Sequence, residues 1–432
     1  MYGCQQILLN TNSELAAILE FVCGEANKLT NCGIYYARQI WFKCRRIIGK
    51  YDLEKEYKYH KNFQALYSQA AQQALRSVSE SFKSFEQLIK AFWAGKRADK
   101  PKPPKYRKKG GLAVVSYPKQ ALKVKDGYIR IPLGTLVKTW FKLTELFIPM
   151  PSNLNFKAIK ELRILPRNGC FYAELVYLLP SVKADVDKGR ALGIDPGLNN
   201  WLSCVSNIGT NFIVDGRKLK SLNQWYNKRV ASLKSGKPQG FWSDELGRIT
   251  EKRNRQVRDA VNKAARLVIN HCLRHQIGTV VFGWNQRNKD GIEIGRKNNQ
   301  EFVQIPTARL KERIKQLCEQ YGIQFLETEE SYTSKASFLD GDFLPVFGDK
   351  PEGWKPSGKR VHRGMYRTKK GKFVNADANG AANILRKVEI QLGLDLAKVS
   401  REYLTAPSRV FLWNSKRTKR RGGASARLVA SA

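Results

Sequence analysis

Asp195 closes the apolar run Ala191-Leu192-Gly193-Ile194 and is followed by Pro196-Gly197. A carboxylate there would stand at the end of a strand, close to the plane of a sheet. Asp377 opens the Ala-rich stretch NADANGAANI (375–384), where a helix dipole favours its ionised form. Its small neighbours Ala376, Ala378, Gly380 and Ala381 would let that helix pack tightly on a sheet. Glu327, Glu329 and Glu330 finish the run IQFLETEE (323–330), and strand alternation puts the first two on one face and Glu330 on the other. Carboxylates gathered by a fold are the usual holders of hard divalent cations, which take oxygen ligands. Two Mg²⁺ ions ~3.5–4 Å apart stabilise the attacking and leaving oxygens when a phosphodiester is hydrolysed. Taken singly, Asp195 also suits a turn before Pro-Gly, and Asp377 also suits an N-cap.

These acids stand out because the chain has few. Its 432 residues hold 37 acidic side chains against 77 lysines and arginines, a net charge of +40. Such a charge repels itself unless a polyanion neutralises it. About 20 base pairs of duplex present ~40 phosphate charges, so the expected partner is a long nucleic acid. The apolar fraction of 42% supplies real cores and excludes a wholly disordered chain. The eight cysteines form no CxxC pair, which excludes a disulfide framework and a zinc ribbon, so no structural zinc is expected. The start MYGCQQILLN lacks the pattern of a signal peptide, and no apolar run approaches the ~20 residues that span a bilayer. The expectation is a soluble chain of a reducing compartment, cytoplasmic, with no membrane partner.

The elements that must position these acids are legible in the periodicities. Residues 2–9 read as a strand, and Thr11 with Glu14 as a capping box opening a helix. A second long helix is expected over 63–94, with the stripe Ala71, Leu75, Val78, Phe82, Phe85, Ile89 and Phe92 as bundle core. From 112 to 183 the period becomes two, with hairpins through Asp126-Gly127 and Asn168-Gly169, which suggests a small β-barrel. Three short strands follow (191–197, 201–206, 211–216), then helix, strand (278–284), helix (306–321), strand (323–330) and a final helix (375–393). That order predicts a mixed α/β sheet, and the whole is a multidomain α+β chain.

Between the helices and the barrel lies KRADKPKPPKYRKKGG (96–111), in which eight of the fourteen residues from Lys96 to Lys109 are basic. Its three prolines forbid a helix. Lys102, Lys105, Tyr106, Arg107, Lys108 and Lys109 read as an extended arm lying along phosphates, with a solvated linker as the alternative. Arg296, Lys297, Asn298 and Asn299 suit contacts to a nucleic-acid backbone, or a capped loop. His271 and His275 share a helix face without a visible third ligand, which points to packing.

Three blocks, GIDPGLNNW (193–201), ESYTSKAS (330–337) and NADANGAANI (375–384), resemble the three nuclease blocks of TnpB, the transposon-encoded RNA-guided endonuclease related to type V CRISPR effectors and Fanzor proteins. The resemblance implies a β-barrel wedge domain (1–10 and 112–183) carrying a helical recognition insertion (11–95), then the basic arm (96–111). It implies an RNase-H-like (RuvC) nuclease domain over 190–334 and 375–393, with 335–374 inserted where the family carries a zinc ribbon and 415–432 as a disordered basic tail. It further implies two Mg²⁺ ions on Asp195, Glu330 and Asp377. The implied partners are a guide RNA (transposon-derived or CRISPR-type) and a double-stranded DNA target flanked by a short motif. The protein would act as a monomer or homodimer on the RNA, nucleoid-associated when guided. Arg217, Lys218, Lys220, Tyr226, Lys228 and Arg229 resemble the family's segment beside the guide–target duplex, a solvated helix being the alternative.

The chain departs from the family in two places. The family's second carboxylate usually follows the strand equivalent to TVVFGW, where this chain has Gly283-Trp284-Asn285. Glu330, three residues before Thr333-Ser334, resembles the rearranged glutamate of Fanzor and some TnpB relatives, with Glu329 as the rival. The insertion 335–374 has no cysteine and must hold its shape by aromatic and hairpin packing or be mobile. Two other functions stay open at this point: a guided DNA-binding repressor that has lost cleavage, and a guide-independent recombinase or resolvase.

Overall fold

The computed structural model describes residues 1–285, 305–362, 364–413 and, for the backbone alone, 427–430. The chain divides into two units, 1–179 with 419–432, and 180–418.

The first unit opens with β1 (Tyr2–Leu8) and then four helices: α1 (Ser13–Cys44), α2 (Lys50–Tyr57), α3 (Lys61–Gln64) and α4 (Ser68–Trp93). The N-cap of α1 is Asn12 rather than Thr11, its Oδ1 accepting from the Leu15 amide at 2.8 Å. The expected stripe of α4 is buried from Ala71 through Phe85 and packs on α1, while Ile89 is only partly buried. There follow β2 (Val115–Pro118), β3 (Lys123–Lys125), β4 (Tyr128–Pro132), α5 (Thr135–Phe141), β5 (Leu143–Pro149), β6 (Ile159–Arg167) and β7 (Cys170–Leu178). Asp126-Gly127 and Asn168-Gly169 turn the two expected hairpins, all four residues having positive φ, as a type I′ turn demands. The expected barrel is built as two four-stranded antiparallel sheets, β1-β7-β6-β2 and one around β5-β4-β3, over one hydrophobic core.

The second unit is built on a six-stranded sheet. Its strands are β8 (Asp187–Pro196), β9 (Asn200–Ser206), β10 (Asn211–Asp215), β11 (Ile277–Gly283), β12 (Gln324–Thr328) and, beyond a three-stranded meander of β13 (Lys359–His362), β14 (Met365–Arg367) and β15 (Phe373–Asn375), β16 (Ser408–Val410). The order across the sheet is β12-β11-β8-β9-β10-β16, with β9 antiparallel to both neighbours and β8, β11 and β12 parallel. The helices are α6 (Arg217–Lys234), α7 (Asp244–Arg274), α8 (Thr307–Tyr321), α9 (Ala376–Lys387), α10 (Glu389–Leu392) and α11 (Arg401–Thr405). The helix expected to be last is therefore followed by another helix and an edge strand.

Alternation along the strands sorts the core into two faces. Leu192, Ile194, Leu202, Cys204, Val280 and Phe282 pack with Val257, Val261, Ala264, Val268, Leu310 and Ile314 of α7 and α8. Ala191 and Val281 pack with Ile384 and Leu385 of α9, and Val205 with Ala381 and Ala382. The strand β17 (Arg427–Ala430) pairs antiparallel with β5. This corrects the reading of 415–432 as wholly disordered: Arg427-Leu-Val-Ala suits the free edge of β5. The remaining tail residues, and Arg296, Lys297, Asn298 and Asn299, lie outside the described residues.

Candidate active site

Asp195 lies on the α9 side of β8, in alternation with Gly193. A Cβ at Gly193 would stand 2.6 Å from the Ala381 carbonyl oxygen, and one at Gly380 would stand 2.5 Å from Asp195 Oδ2. Only glycine permits so close a seam, which is the tight packing that the small residues of α9 predict. Asp195 is half-buried, and its Oδ2 lies against the helix at Gly380. Burial first, then the charges of Glu330 and Asp377, push its carboxyl well above the ordinary range, against a smaller opposing pull from Arg360. Side chains from positions 195, 330 and 377 thus share one electrostatic neighbourhood.

The cap of α9 is Asn375, whose Oδ1 accepts from the amides of Asp377 and Ala378, each at 3.0 Å. The Asp377 side chain is therefore not consumed in capping. Its Oδ2 accepts from Asn200 Nδ2 at 2.5 Å and its Oδ1 from Arg360 Nη2 at 3.1 Å. Asn200 is itself held: its Oδ1 accepts from Arg409 Nη1 at 2.8 Å, and the same nitrogen donates to buried Asp215 at 2.8 Å. Asn200 and Arg360 were not legible as site residues. Asn200 lies in the first sequence block but carries no charge, and Arg360 is one of many cations in the insertion.

Glu330 lies just past β12. The Trp284 amide donates to the Thr328 carbonyl at 2.8 Å, which brings Asn285 and Glu330 opposite each other. Asn285 Oδ1 accepts from the Glu330 amide at 3.1 Å, and its Nδ2 donates to Glu330 Oε1 at 3.4 Å. Beyond it, the amide and hydroxyl of buried Thr333 both donate to the Glu330 carbonyl, at 3.3 and 2.8 Å. Two fully buried asparagines one turn apart on α9 then clip this turn to the helix. Asn383 Nδ2 donates to the carbonyls of Thr333 and Ala336, at 2.9 and 2.8 Å, and Asn379 Nδ2 donates to Ala336 at 2.8 Å. This is the physical tie between the second and third sequence blocks.

The other glutamates are committed elsewhere. Burial alone would raise the Glu329 carboxyl, but hydrogen bonds from Lys387 and Ser331 outweigh it and hold it below the usual range. Glu327 accepts from Lys311 Nζ at 2.6 Å. Of the three, Glu330 is the one whose charge bears on Asp195.

Three carboxylates that repel one another are a donor set for a hard divalent cation, and their oxygens suit Mg²⁺ rather than zinc. Among the described residues, however, no three His, Cys, Asp or Glu side chains converge closely enough to hold a metal ion. Asp377 is turned toward Arg360 and Asn200 instead.

The insertion uses carboxylates differently. Asp340 Oδ2 accepts from the Ser337 hydroxyl at 2.7 Å, the Lys369 amide at 2.8 Å and the Ser357 hydroxyl at 3.2 Å. Asp342 Oδ2 accepts from the amides of Ser337 and Ser357, at 2.7 and 3.0 Å. Burial would raise the Asp340 carboxyl, but these donors outweigh it and hold it low. Of the aromatics expected to shape this segment, Tyr366 is fully buried and Trp354 stacks edgewise on Tyr332, whereas Phe343 and Phe347 are exposed.

The basic arm is pinned along α1 by its backbone. Arg38 Nη1 donates to the Pro104 carbonyl at 2.9 Å, Asn31 exchanges two hydrogen bonds with the Arg107 backbone, and Asn27 Nδ2 donates to Lys108 at 3.0 Å. Lys102, Lys105, Arg107, Lys108 and Lys109 are exposed and make no ion pair among the described residues, and Tyr106 lies under the Arg38 guanidinium. On α6, Lys218 and Lys228 are exposed, Arg217 pairs with Asp215 and Arg229 with Glu245, and Lys220 is half-buried. Tyr226 is turned into the seam with α7, bonding Thr250 at 3.0 Å under Arg253, so it does not face outward to stack on a base. His271 packs as expected: its ring meets Phe212 and His275, Nε2 lies 2.8 Å from Thr210 Oγ1, and burial lowers its pKa to about 4.

The strand order, with an acid at the end of the first strand and another on the helix packed over it, is the arrangement expected of an RNase-H-like domain. Residues 174–289 match the family model OrfB_IS605, described as a probable transposase, and residues 308–384 match the Cas12f1-like TNB domain. Together they bear out the resemblance to TnpB-type proteins carried by the three sequence blocks, the first match spanning Asp195 and the second Glu330 and Asp377. Solved structures similar to the chain include a Cas12f1-sgRNA-target DNA complex, 16% identical over 86% of this chain and 83% of that one, with a TM-score of 0.49. A CasPhi-2 (Cas12j) structure bound to crRNA is 10% identical over 93% and 99%, with a TM-score of 0.37. Comparison with curated proteins finds no match. Among the described residues, no helix is long and apolar enough to cross a membrane.

Proposed function

We propose that this chain is an RNA-guided DNA endonuclease that cuts target DNA beside a short flanking motif. The observation that carries the reading is that Asp195 ends the central strand β8 against α9, whose first turn holds Asp377, with Glu330 just past the parallel strand β12, so that the charges of Glu330 and Asp377 bear on Asp195. Those three side chains would hold two Mg²⁺ ions, which when bound supply Lewis-acid charge stabilisation and an activated water for in-line phosphodiester hydrolysis. The chain's own contribution is to hold the carboxylates in place: the Gly193–Gly380 seam sets Asp195, the Asn375 cap and Asn200 set Asp377, and the clipped turn sets Glu330. Guide RNA and double-stranded DNA are the partners that fit the TnpB likeness and the +40 charge. The exposed lysines of the pinned arm and of α6 offer phosphate contacts, which hold a heteroduplex by shape and backbone while base pairing reads sequence.

Alanine at Asp195 or Asp377 is expected to abolish cleavage and spare guided binding; an equal loss of binding would mark a structural role. A second reading, a guided DNA-binding repressor without cleavage, is favoured by the turning of Asp377 to Arg360 and by the lack of three convergent ligands among the described residues. Mg²⁺-dependent cleavage with a matched guide separates the two.

A further inference from the structure

We infer that Asn285 is the positioning residue of Glu330. The inference rests on the reading of Glu330 as a metal ligand and adds to it. The place just past β11, where TnpB-type proteins usually carry their second carboxylate, here holds Gly283-Trp284-Asn285. Gly283 has no room for an acid, since a Cβ there would stand 2.5 Å from Ile384 Cδ1. Asn285 is the first residue past this crowded seam with a polar side chain, and it spends both ends of its amide on one residue. Its Oδ1 takes the Glu330 amide at 3.1 Å and its Nδ2 reaches Glu330 Oε1 at 3.4 Å. An asparagine offers a donor and an acceptor without a charge. A carboxylate at 285 would accept the same backbone N–H but repel Glu330, and an alanine would leave that N–H unanswered on this side. The reciprocal pair fixes both the backbone and the carboxylate of Glu330 from the neighbouring strand. The ligand has moved to β12, and the residue at its former strand end has become its support.

Supports of this kind change metal affinity by about 10–100-fold when removed. The test is calorimetric titration of the purified full-length chain with Mn²⁺, alongside its thermal unfolding, for wild type, Asn285→Ala, Asn285→Ser and Glu330→Gln. Asn285→Ala is expected to weaken Mn²⁺ binding at least about tenfold at an unchanged thermal midpoint. Asn285→Ser, which keeps a short hydroxyl, is expected to fall between it and wild type. If Asn285→Ala melts early, Asn285→Ser decides. Wild-type Mn²⁺ affinity in the well-folded Asn285 variants, with loss in Glu330→Gln, overturns the role of Asn285 alone. Wild-type affinity in Glu330→Gln overturns the ligand reading beneath it.

Discussion

Two carboxylate groups in the second unit are built in opposite ways. In the insertion, Asp340 and Asp342 meet hydroxyls and backbone amides, and the donors hold Asp340 in its charged form. At the end of the central strand β8, burial and then the charges of Glu330 and Asp377 drive Asp195 toward its neutral form. Acids answered by protein donors are structural cross-links. A buried acid whose nearest charged neighbours include two more acids is costly for the fold, and on the proposed reading a cation offsets that cost. In the insertion, Asp340 and Asp342 tie 337, 357 and 369 together by hydrogen bonds alone.

The sharpest way to break this contrast is in activity. Asp195→Ala is expected to reduce guided DNA cleavage by at least about a thousandfold, while Asp340→Ala leaves a measurable rate; single losses in catalytic machinery are typically of that size. Gel analysis of cleavage products at saturating Mg²⁺ reads it, and comparable losses would erase the distinction.

Stability offers the next contrast, with opposite signs. Asp195→Asn removes a repelled buried charge and is expected to raise stability by ~1 kcal/mol at pH 8 without added metal. Asp340→Asn weakens three hydrogen bonds to a charged acceptor and is expected to lower stability by about 1–2 kcal/mol, its carboxylate being partly open to water. Thermal unfolding of the two variants side by side checks both signs.

The pH dependence of the insertion follows from the same donors. A carboxyl held below its unfolded value contributes stability that is present above that value and lost as pH falls through the folded one. Protection of 335–374 from limited proteolysis should therefore persist at neutral pH and fail only below the ordinary carboxylate range. It should be indifferent to EDTA, and a chelator-sensitive insertion would contradict the expectation of no structural zinc.

The smallest expected effect concerns the pinned arm. On the proposed reading, replacing Lys105 by Ala removes one phosphate contact and should flatten the salt dependence of RNA binding by about 0.7–0.9 in log–log slope. Asn27→Ala with Asn31→Ala should weaken binding at an unchanged slope, because the phosphate contacts persist while their preorganisation is lost.

Periodicity carried the sheet and its helices. The short apolar runs of β8 to β11, the 3.6-residue stripes of α4 and α7 and the two Gly-containing hairpins each declare themselves locally. Asp195 and Asp377 were legible for the same reason, being acids in apolar runs. Asn200, Asn285 and Arg360 were not, because their roles exist only across 177, 45 and 17 residues of intervening chain. Capping was misread by one position at Thr11 for Asn12, since both residue types cap helices well. The bond of Tyr226 to Thr250 was not legible either, because its partner lies on another helix.

A crystal of the full chain soaked in Mn²⁺, with anomalous scattering collected at the manganese edge, tests the central claim most directly. The account predicts manganese within ligating distance of Asp195, Glu330 and Asp377, with Arg360 displaced from Asp377. Manganese seated instead at Asp340 and Asp342, or absent beside Asp195 while Arg360 keeps its hold, would contradict it.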